Sequence, residues 1–404
     1  MNAKVSIVKC EDYTPSNVLR AVKEAVDLVG GIERFVAPGQ SVLVKPNLLS
    51  PKPPQAAVCT HPTVVESIVG LATGAGGKCS IGDCPSIAGD SPQGYERLLE
   101  ITEMSEVVRR TGITSIRLDD SCEEREIPDA KVYRRMPVSG ALGEVDALIN
   151  VPKFKTHELT LMTGAVKNLF GCVPGRRKIA SHLQAGCNPE MFAQILVDLL
   201  RTVRPALSIM DGIVGMDGQG PAAGRRRSFG VILASADPVA LDAVACHIAG
   251  FDPMIVPTLR LANEQGVGVA DLSRIEIVGA SVEEVRIEDF LLPPRGDIIS
   301  RLPKPLYRML RNHLVRKPVF IREKCTACRT CALGCPVDAI SGEGKNLRID
   351  YSRCIRCYCC QEVCPEEAIL LVMSRFRNSI EGALAVRRRI RRIVKREGSG
   401  NKRV

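Results

Sequence analysis

The sequence contains no tryptophan, and aromatic residues make up only 4% of its 404 positions. Single-stranded nucleic acid is usually held on stacked rings. No helix-turn-helix or zinc-finger pattern compensates, so nucleic acid is disfavoured as a partner. No uninterrupted apolar run approaches the roughly 18 residues of a membrane-spanning helix. The start, MNAKVSIVKC, passes directly into a strand pattern without an apolar leader core, so no signal peptide is expected. The familiar phosphate loops are missing too. In GAGGKCS, Ala72 stands where a P-loop has its first glycine, and Cys79 replaces the Ser/Thr. GQGPAAG, at 218–224, has the wrong spacing for a dinucleotide fingerprint and precedes a strand pattern. No nucleotide reading is licensed.

Cysteine, by contrast, is abundant, with 17 residues. Without an export signal, that many thiols imply a reducing, cytoplasmic setting. Eight of them form a repeated pattern, Cys-x2-Cys-x2-Cys-x3-Cys-Pro. The first copy is Cys325, Cys328, Cys331, Cys335 and Pro336, and the second is Cys354, Cys357, Cys360, Cys364 and Pro365. The match extends to Ala339-Ile340 and Ala368-Ile369. A [4Fe–4S] cube wants one soft thiolate at each iron corner, and three closely spaced cysteines wrap one cube while the fourth crosses to the other. The spacing therefore predicts two [4Fe–4S] clusters, one on Cys325, Cys328, Cys331 and Cys364, the other on Cys354, Cys357, Cys360 and Cys335. Zinc sites use pairs of Cys-x2-Cys rather than such triplets. Cys359 is extra and is expected to be a bystander. This stretch resembles a bacterial-type two-cluster ferredoxin over about residues 319–372.

The formal charge of +10 is unevenly placed. Residues 373–404 carry eleven Lys/Arg against two Asp/Glu, and residues 295–318 carry seven against one. The cluster segment 319–372 is balanced at seven each. The tail, with Ile380, Leu384, Ile390, Ile393 and Val394 among arginines, has the pattern of a basic amphipathic helix, suited to an anionic membrane surface.

The first 290 residues alternate strand and helix signals. Strand patterns occur at Lys4–Lys9, Ser41–Lys45, Lys78–Ile81, Leu148–Val151, Ala206–Met210, Phe229–Ala234 and Ile275–Val278, the last three expected to be buried. Helical stripes fall at Pro15–Val29, Pro62–Ala75, Pro189–Val203 behind an Asn188 cap, and Pro238–Ile248 behind an Asp237 cap. Such alternation predicts an α/β domain with a mainly parallel sheet. The expected organisation is an α/β domain over 1–292, a basic Pro-rich linker over 293–318, a small α+β ferredoxin-like domain over 319–372, and a basic tail over 373–404.

Polar strings follow several of these strands, where open α/β sheets bind ligands. They supply Lys45 and Asn47; Asp83, Cys84 and Ser86; Lys153, Lys155, His157, Lys167, Asn168 and Gly171; and Asp211 and Asp217. Lys45, Asn47, Asp83, Lys167, Asn168 and Asp211 are expected to form one ligand pocket. Lys153 and Lys155 would orient an anionic small molecule, and His157, with an ordinary pKa near neutrality, would supply protons. Of the other cysteines, Cys84 and Cys172 lie in these loops, and most, Cys187 among them, are expected to be small buried residues.

The strings VKPNLL, THPTVVE, IGDCPS, NVPKFKTHELTLMTGAVKNLFG, DGIVGMDGQGP and SADPVALDAVA resemble the family known as domain of unknown function 362, often fused to a two-cluster ferredoxin. The resemblance covers about residues 40–250. It implies an iron–sulfur-associated α/β fold, and it marks Lys45, Asn47, Asp83, Lys153, Lys155, His157, Lys167, Asn168, Asp211, Asp237 and Asp242. For Asp237 and Asp242, a purely structural role, as helix cap and in helix packing, stands as an equal alternative to that marked role. The expected function is that of an iron–sulfur electron-transfer protein or oxidoreductase, relaying electrons from a redox partner protein through two clusters to a ligand or substrate on the α/β domain. The alternatives are a ferredoxin-type carrier that docks a partner and a redox sensor. The expected location is the cytoplasm, with the tail able to touch a membrane.

Overall fold

The computed structural model describes residues 2–85, 91–175, 177–186, 188–293 and 315–373. Most of the expected linker, the whole basic tail beyond 373, Ser86 and Cys187 lie outside the described residues.

The strands, in chain order, are β1 (Ala3–Lys9), β2 (Ser41–Pro46), β3 (Lys78–Asp83), β4 (Thr114–Arg117), β5 (Cys122–Glu126), β6 (Arg135–Ser139), β7 (Ala147–Val151), β8 (Lys153–His157), β9 (Leu161–Thr163), β10 (Leu207–Asp217), β11 (Arg225–Ser235) and β12 (Ile275–Gly279). The main sheet has the order β12-β1-β11-β10-β7-β2-β3-β4. Along it β11 alone runs antiparallel to its neighbours. The fold is thus the expected α/β domain with a mainly parallel sheet. β12 is less buried than its sequence suggests: it is an edge strand with only Ile275 fully covered.

Successive side chains on a strand point to opposite faces, and the sheet fills a core on each side. Val42, Val44, Ile149, Ile209 and Ile232 enter one core, beneath the helices Pro15–Leu28 and Pro62–Gly74. Their neighbours Leu43, Leu148, Met210 and Leu233 enter the other, beneath Pro189–Thr202 and Pro238–Ile248. Both expected caps are made. Asn188 accepts from the amides of Glu190 and Met191, and Asp237 from those of Val239 and Ala240.

The string after β7 differs from its expectation as a loop. Pro152 interrupts the strand for one residue, and the chain continues as β8, which hydrogen-bonds β10 where β10 extends past β7, and then turns back as β9. Lys153, Lys155 and His157 are spaced by two, so they share one face of β8. That period was present in KFKTH, but three ionisable residues disguised it. All three are buried.

The cluster segment is a separate small module. β13 (Lys317–Phe320) pairs antiparallel with β16 (Ile369–Val372), and β14 (Ile340–Ser341) with β15 (Arg348–Ile349). Short helices span Thr330–Leu333 and Cys359–Glu362. The sequence duplication reappears in the backbone. Ala327, Arg329 and Asp338 take positive φ (61°, 60° and 48°), and their counterparts Arg356, Tyr358 and Glu367 do the same (61°, 65° and 50°). Non-glycine residues resist this region, so two matching sets mark a backbone bent around something.

One contact of the core positions the site directly. Asp242 is buried in the helix Pro238–Ile248, yet its carboxylate accepts from the amides of Ala165 (2.6 Å) and Val166 (3.0 Å). It caps the short helix Ala165–Asn168 that carries Lys167 and Asn168. A side chain at Gly164 would collide with this carboxylate, which explains the glycine. Of its two alternatives, Asp242 takes a structural one. Asp242→Ala would strand two buried donors and is expected to cost about 2–3 kcal/mol, measurable as a lower denaturant midpoint. An unchanged midpoint would mean those amides find other partners.

Candidate functional site

Asp83, at the end of β3, organises the carboxyl edge of the sheet. One of its oxygens accepts from Leu48 N (2.8 Å), just after β2, and the other from Cys84 N (2.9 Å). The ammonium of Lys45 lies 2.8 Å from the carboxylate, and both side chains are buried. A Cβ at Gly171 would fall 2.0 Å from Asp83 Oδ1 and 2.6 Å from Lys45 Nζ, so only glycine lets that segment cross the pair. Lys45 is therefore spent inside the fold.

A second buried pair lies farther along the sheet. Lys153 Nζ is 2.7 Å from Asp211 Oδ2 and 2.8 Å from the Tyr13 hydroxyl. Tyr13 also donates to Asp211 and stacks on His61, with ring centroids 3.6 Å apart. Burial lowers the Lys153 pKa, against the opposing pull of Asp211. Lys155 donates instead to the Val58 carbonyl, and burial depresses its pKa to about 7.

Beyond the ends of β2 and β3 opens a cavity of about 110 Å³. The α/β domain contributes Asn47, Asp83, Cys84, Thr163, Lys167, Asn168, Lys178 and His182 to its walls, among others. The opposite wall comes from the cluster module: Gly334, Cys359, Glu362 and Val363. Of the residues expected to share one pocket, Asn47, Asp83, Lys167 and Asn168 meet here. Lys45, Asp211, Lys153, Lys155 and His157 do not line this cavity. Cys359, expected to be a bystander, lines it rather than either of the thiol-ringed hollows described below.

Glu362 joins the two modules. His157 Nδ1 accepts from the amides of Leu159 (3.1 Å) and Thr160 (3.3 Å), so the ring proton sits on Nε2, which is 2.9 Å from Glu362 Oε1 but not aligned with it for a hydrogen bond. Burial, with the Lys167 charge second, lowers the His157 pKa to about 4, leaving the ring neutral at pH 7. Burial alone would raise the Glu362 pKa, but His157, Lys167 and His182 together hold it well below the usual carboxylate range. The module is also tied by Arg316 to Glu158 (2.8 Å), by Glu367 to Lys52 (3.3 Å) and by Gln361 to the Gln219 carbonyl (3.4 Å).

Lys178 and His182 come from the helix Arg177–Ala185 and were not picked out by sequence reasoning. Their only signal is the alternation of polar residues in a short amphipathic helix. His182 lies between Phe170 and Phe192, and its burial lowers its pKa to about 4.

The eight repeated cysteines surround two hollows. Cys325, Cys328, Cys331 and Cys364 line one, and Cys335, Cys354, Cys357 and Cys360 line the other. Among the described residues, no three His, Cys, Asp or Glu side chains converge closely enough for a single metal ion. Thiols standing around a hollow are what the four corners of a cube need. Backbone amides add to the fit, with Ala339 N 3.2 Å from Cys335 Sγ and Ala368 N 3.2 Å from Cys364 Sγ, the kind of contact that tunes a cluster.

Comparison with known proteins agrees with both modules. The model for the family described as domain of unknown function (DUF362) matches residues 42–247, and that for a 4Fe-4S dicluster domain matches residues 317–365. A thylakoid-associated protein of Synechocystis sp. is 32% identical over 332 residues, covering 80% of this chain and 98% of its own. The pyruvate synthase subunit PorD of Methanocaldococcus jannaschii is 40% identical over 57 residues, 14% of this chain and 66% of that protein. Among solved structures, the lactate racemase apoprotein of Thermoanaerobacterium thermosaccharolyticum aligns with a TM-score of 0.40 and 11% identity, over 61% of this chain and 56% of its own. The chain thus binds 4Fe–4S and has an iron–sulfur electron-transfer role. No helix among the described residues is long and apolar enough to cross a membrane.

Lys155 gives the site a pH signature. Its folded pKa lies below the ordinary 10.5. Between about pH 7 and pH 10.5 the unfolded chain therefore binds a proton that the folded chain does not, and stability rises with pH. Below pH 7 both states carry the proton, and this contribution is lost. Lys155→Met is expected to flatten that rise, by an amount on the order of a few kcal/mol across the window. Thermal midpoints of variant and parent at several pH values check this, and parallel curves would contradict it.

Proposed function

The chain belongs to the domain-of-unknown-function 362 family, and from that premise we propose that it passes electrons between a redox partner protein and a small molecule held in the cavity between its two modules. One observation carries this reading. The cavity is walled on one side by the carboxyl ends of β2 and β3, and on the other by residues adjacent in sequence to cluster cysteines: Gly334 beside Cys335, Cys359 beside Cys360, Val363 beside Cys364. A ligand there would sit against the module where electrons arrive.

We assign one cluster to Cys325, Cys328, Cys331 and Cys364, and the other to Cys354, Cys357, Cys360 and Cys335. Bound [4Fe–4S] clusters supply one-electron transfer at potentials set by hydrogen bonds to sulfur and by local charge. The likeness of this segment to a pyruvate synthase subunit supports a redox partner protein as donor or acceptor. Exposed Cys328 marks a side where such a partner could approach.

The polar residues divide their tasks. Among the described residues Lys167 makes no direct hydrogen bond or ion pair, only a contact with the Phe170 ring; burial lowers its pKa and the Glu362 charge opposes this, so its amino group is left to meet a negative ligand. Neutral His182 and the Asn47 and Asn168 amides orient that ligand. His157 is given a docking role rather than proton transfer, because its protonated nitrogen lies against Glu362 and the residue does not line the cavity. Lys153 and Lys155 act as internal supports for the strands that frame the cavity.

Two experiments test this. Iron content of double variants tests the ligand assignment. Cys325→Ala with Cys364→Ala should lose one cluster's iron, whereas Cys354→Ala with Cys364→Ala should lose both. The reverse pattern would mean that each repeat holds its own fourth cysteine. For the cavity, the protein is reduced and its reoxidation by small anions is followed optically. Lys167→Met should slow reoxidation by an effective anion about tenfold. If no small molecule reoxidises the protein faster than buffer, the chain is a carrier whose α/β domain serves as a docking body.

A further inference from the structure

The cavity carries more information about its ligand than charge alone. Asn150 Nδ2 donates to the Ala165 carbonyl (3.0 Å), which fixes that amide's orientation. Asn150 Oδ1 must then accept, and it does so from Asn168 Nδ2 at 2.8 Å. The Asn168 amide is thereby fixed in turn, and its Oδ1 is left as a buried acceptor with no partner among the described residues. Asn47 Oδ1, the Thr163 hydroxyl and His182 Nδ1 are likewise buried and without a partner among the described residues. All four residues line the one cavity. Asn168 and Thr163 are each only 3% exposed, and His182 is 7% exposed.

Buried polar groups are almost always paired, and an isolated one is costly. These four, together with Glu362 Oε1 on the same wall, which also makes no hydrogen bond among the described residues, include three oxygens that can only accept, and so describe a ligand that donates hydrogen bonds. The Lys167 ammonium beside them asks for negative charge. At about 110 Å³ the space holds a few waters or a molecule of a handful of heavy atoms.

Resting on the reading of this cavity as a ligand site, we propose that its natural occupant is a small carboxylate carrying hydroxyl or amino donors, with its carboxylate toward Lys167 and its donors toward Asn168 and Asn47. Two other families of occupant fit less well. A plain anion such as phosphate in its charged form brings mainly acceptors to a wall that already has them. An apolar molecule would leave all four groups stranded.

Calorimetric binding to the oxidised, cluster-loaded full chain tests the class, using three probes of similar size: malate, succinate and malamide. Malate has charge and a hydroxyl donor, succinate lacks the hydroxyl, and malamide lacks the charge. Malate is expected to bind about tenfold or more tightly than succinate, because succinate leaves an acceptor unpaired. Lys167→Met should erase the advantage of malate over malamide, and Asn47→Ala should shrink its advantage over succinate. Thr163→Val, which keeps shape and removes a hydroxyl, should weaken malate if the hydroxyl takes part in the site. Equal binding of malate and succinate, malate binding unaffected by Lys167→Met, or no binding of any probe at millimolar concentration would overturn the proposal. Because binding is read without electron flow, a ligand that binds as predicted yet never reoxidises the protein would refute the electron-delivery reading and leave this inference standing.

Discussion

The buried carboxylate of Glu362 is the contact on which the arrangement depends. It belongs to the cluster module, yet the groups that hold its charge, His157 at 2.9 Å and Lys167 and His182 at longer range, all belong to the α/β domain. A charge removed from water is tolerable only beside compensating groups, and removing one partner of a buried pair costs about 3–5 kcal/mol. The module is consequently held in one orientation, with Gly334, Cys359 and Val363 brought over the sheet's carboxyl edge. Without that contact the cavity would lose a wall.

The α/β domain prepares the other side by fixing its loops from within. Asp83 gathers the ends of β2 and β3, and Asp242 caps the helix that presents Lys167 and Asn168. Lys45 and Lys153 neutralise buried acids. Buried ions of this sort contribute modestly to net stability but impose strict geometry when their hydrogen bonds are complete. The result is a rigid rim carrying a few uncommitted polar groups, which is the condition for selective binding.

What the sequence revealed follows physical range. Cluster ligation fixes cysteine spacing over a dozen residues, so the duplicated pattern was readable directly, as were the Asn188 and Asp237 caps, which act over two or three residues. The alternation of strands and helices gave the parallel sheet for the same reason. The pairing of lysines was not readable, because their acids lie far away in the chain: Asp83 for Lys45, and Asp211 for Lys153. A lysine in a polar string therefore looked like a ligand-binding group whether it was free, as Lys167 is, or spent. Glu362 offered no signal either, since its role exists only when two modules meet. His182 and Lys178 were overlooked because an amphipathic helix looks alike whether its polar face meets solvent or a cavity.

With the two modules docked, Lys167 faces the cluster module across the shared cavity. Removing a positive charge near a cluster disfavours its more negative, reduced form. The most direct measurement is the reduction potential of the clusters in Lys167→Met against the parent protein, at one pH and ionic strength. The substitution lies in one module and the iron in the other. Docked modules give a shift to lower potential in the variant, and identical potentials in the two proteins would mean that Lys167 does not lie near the clusters in solution.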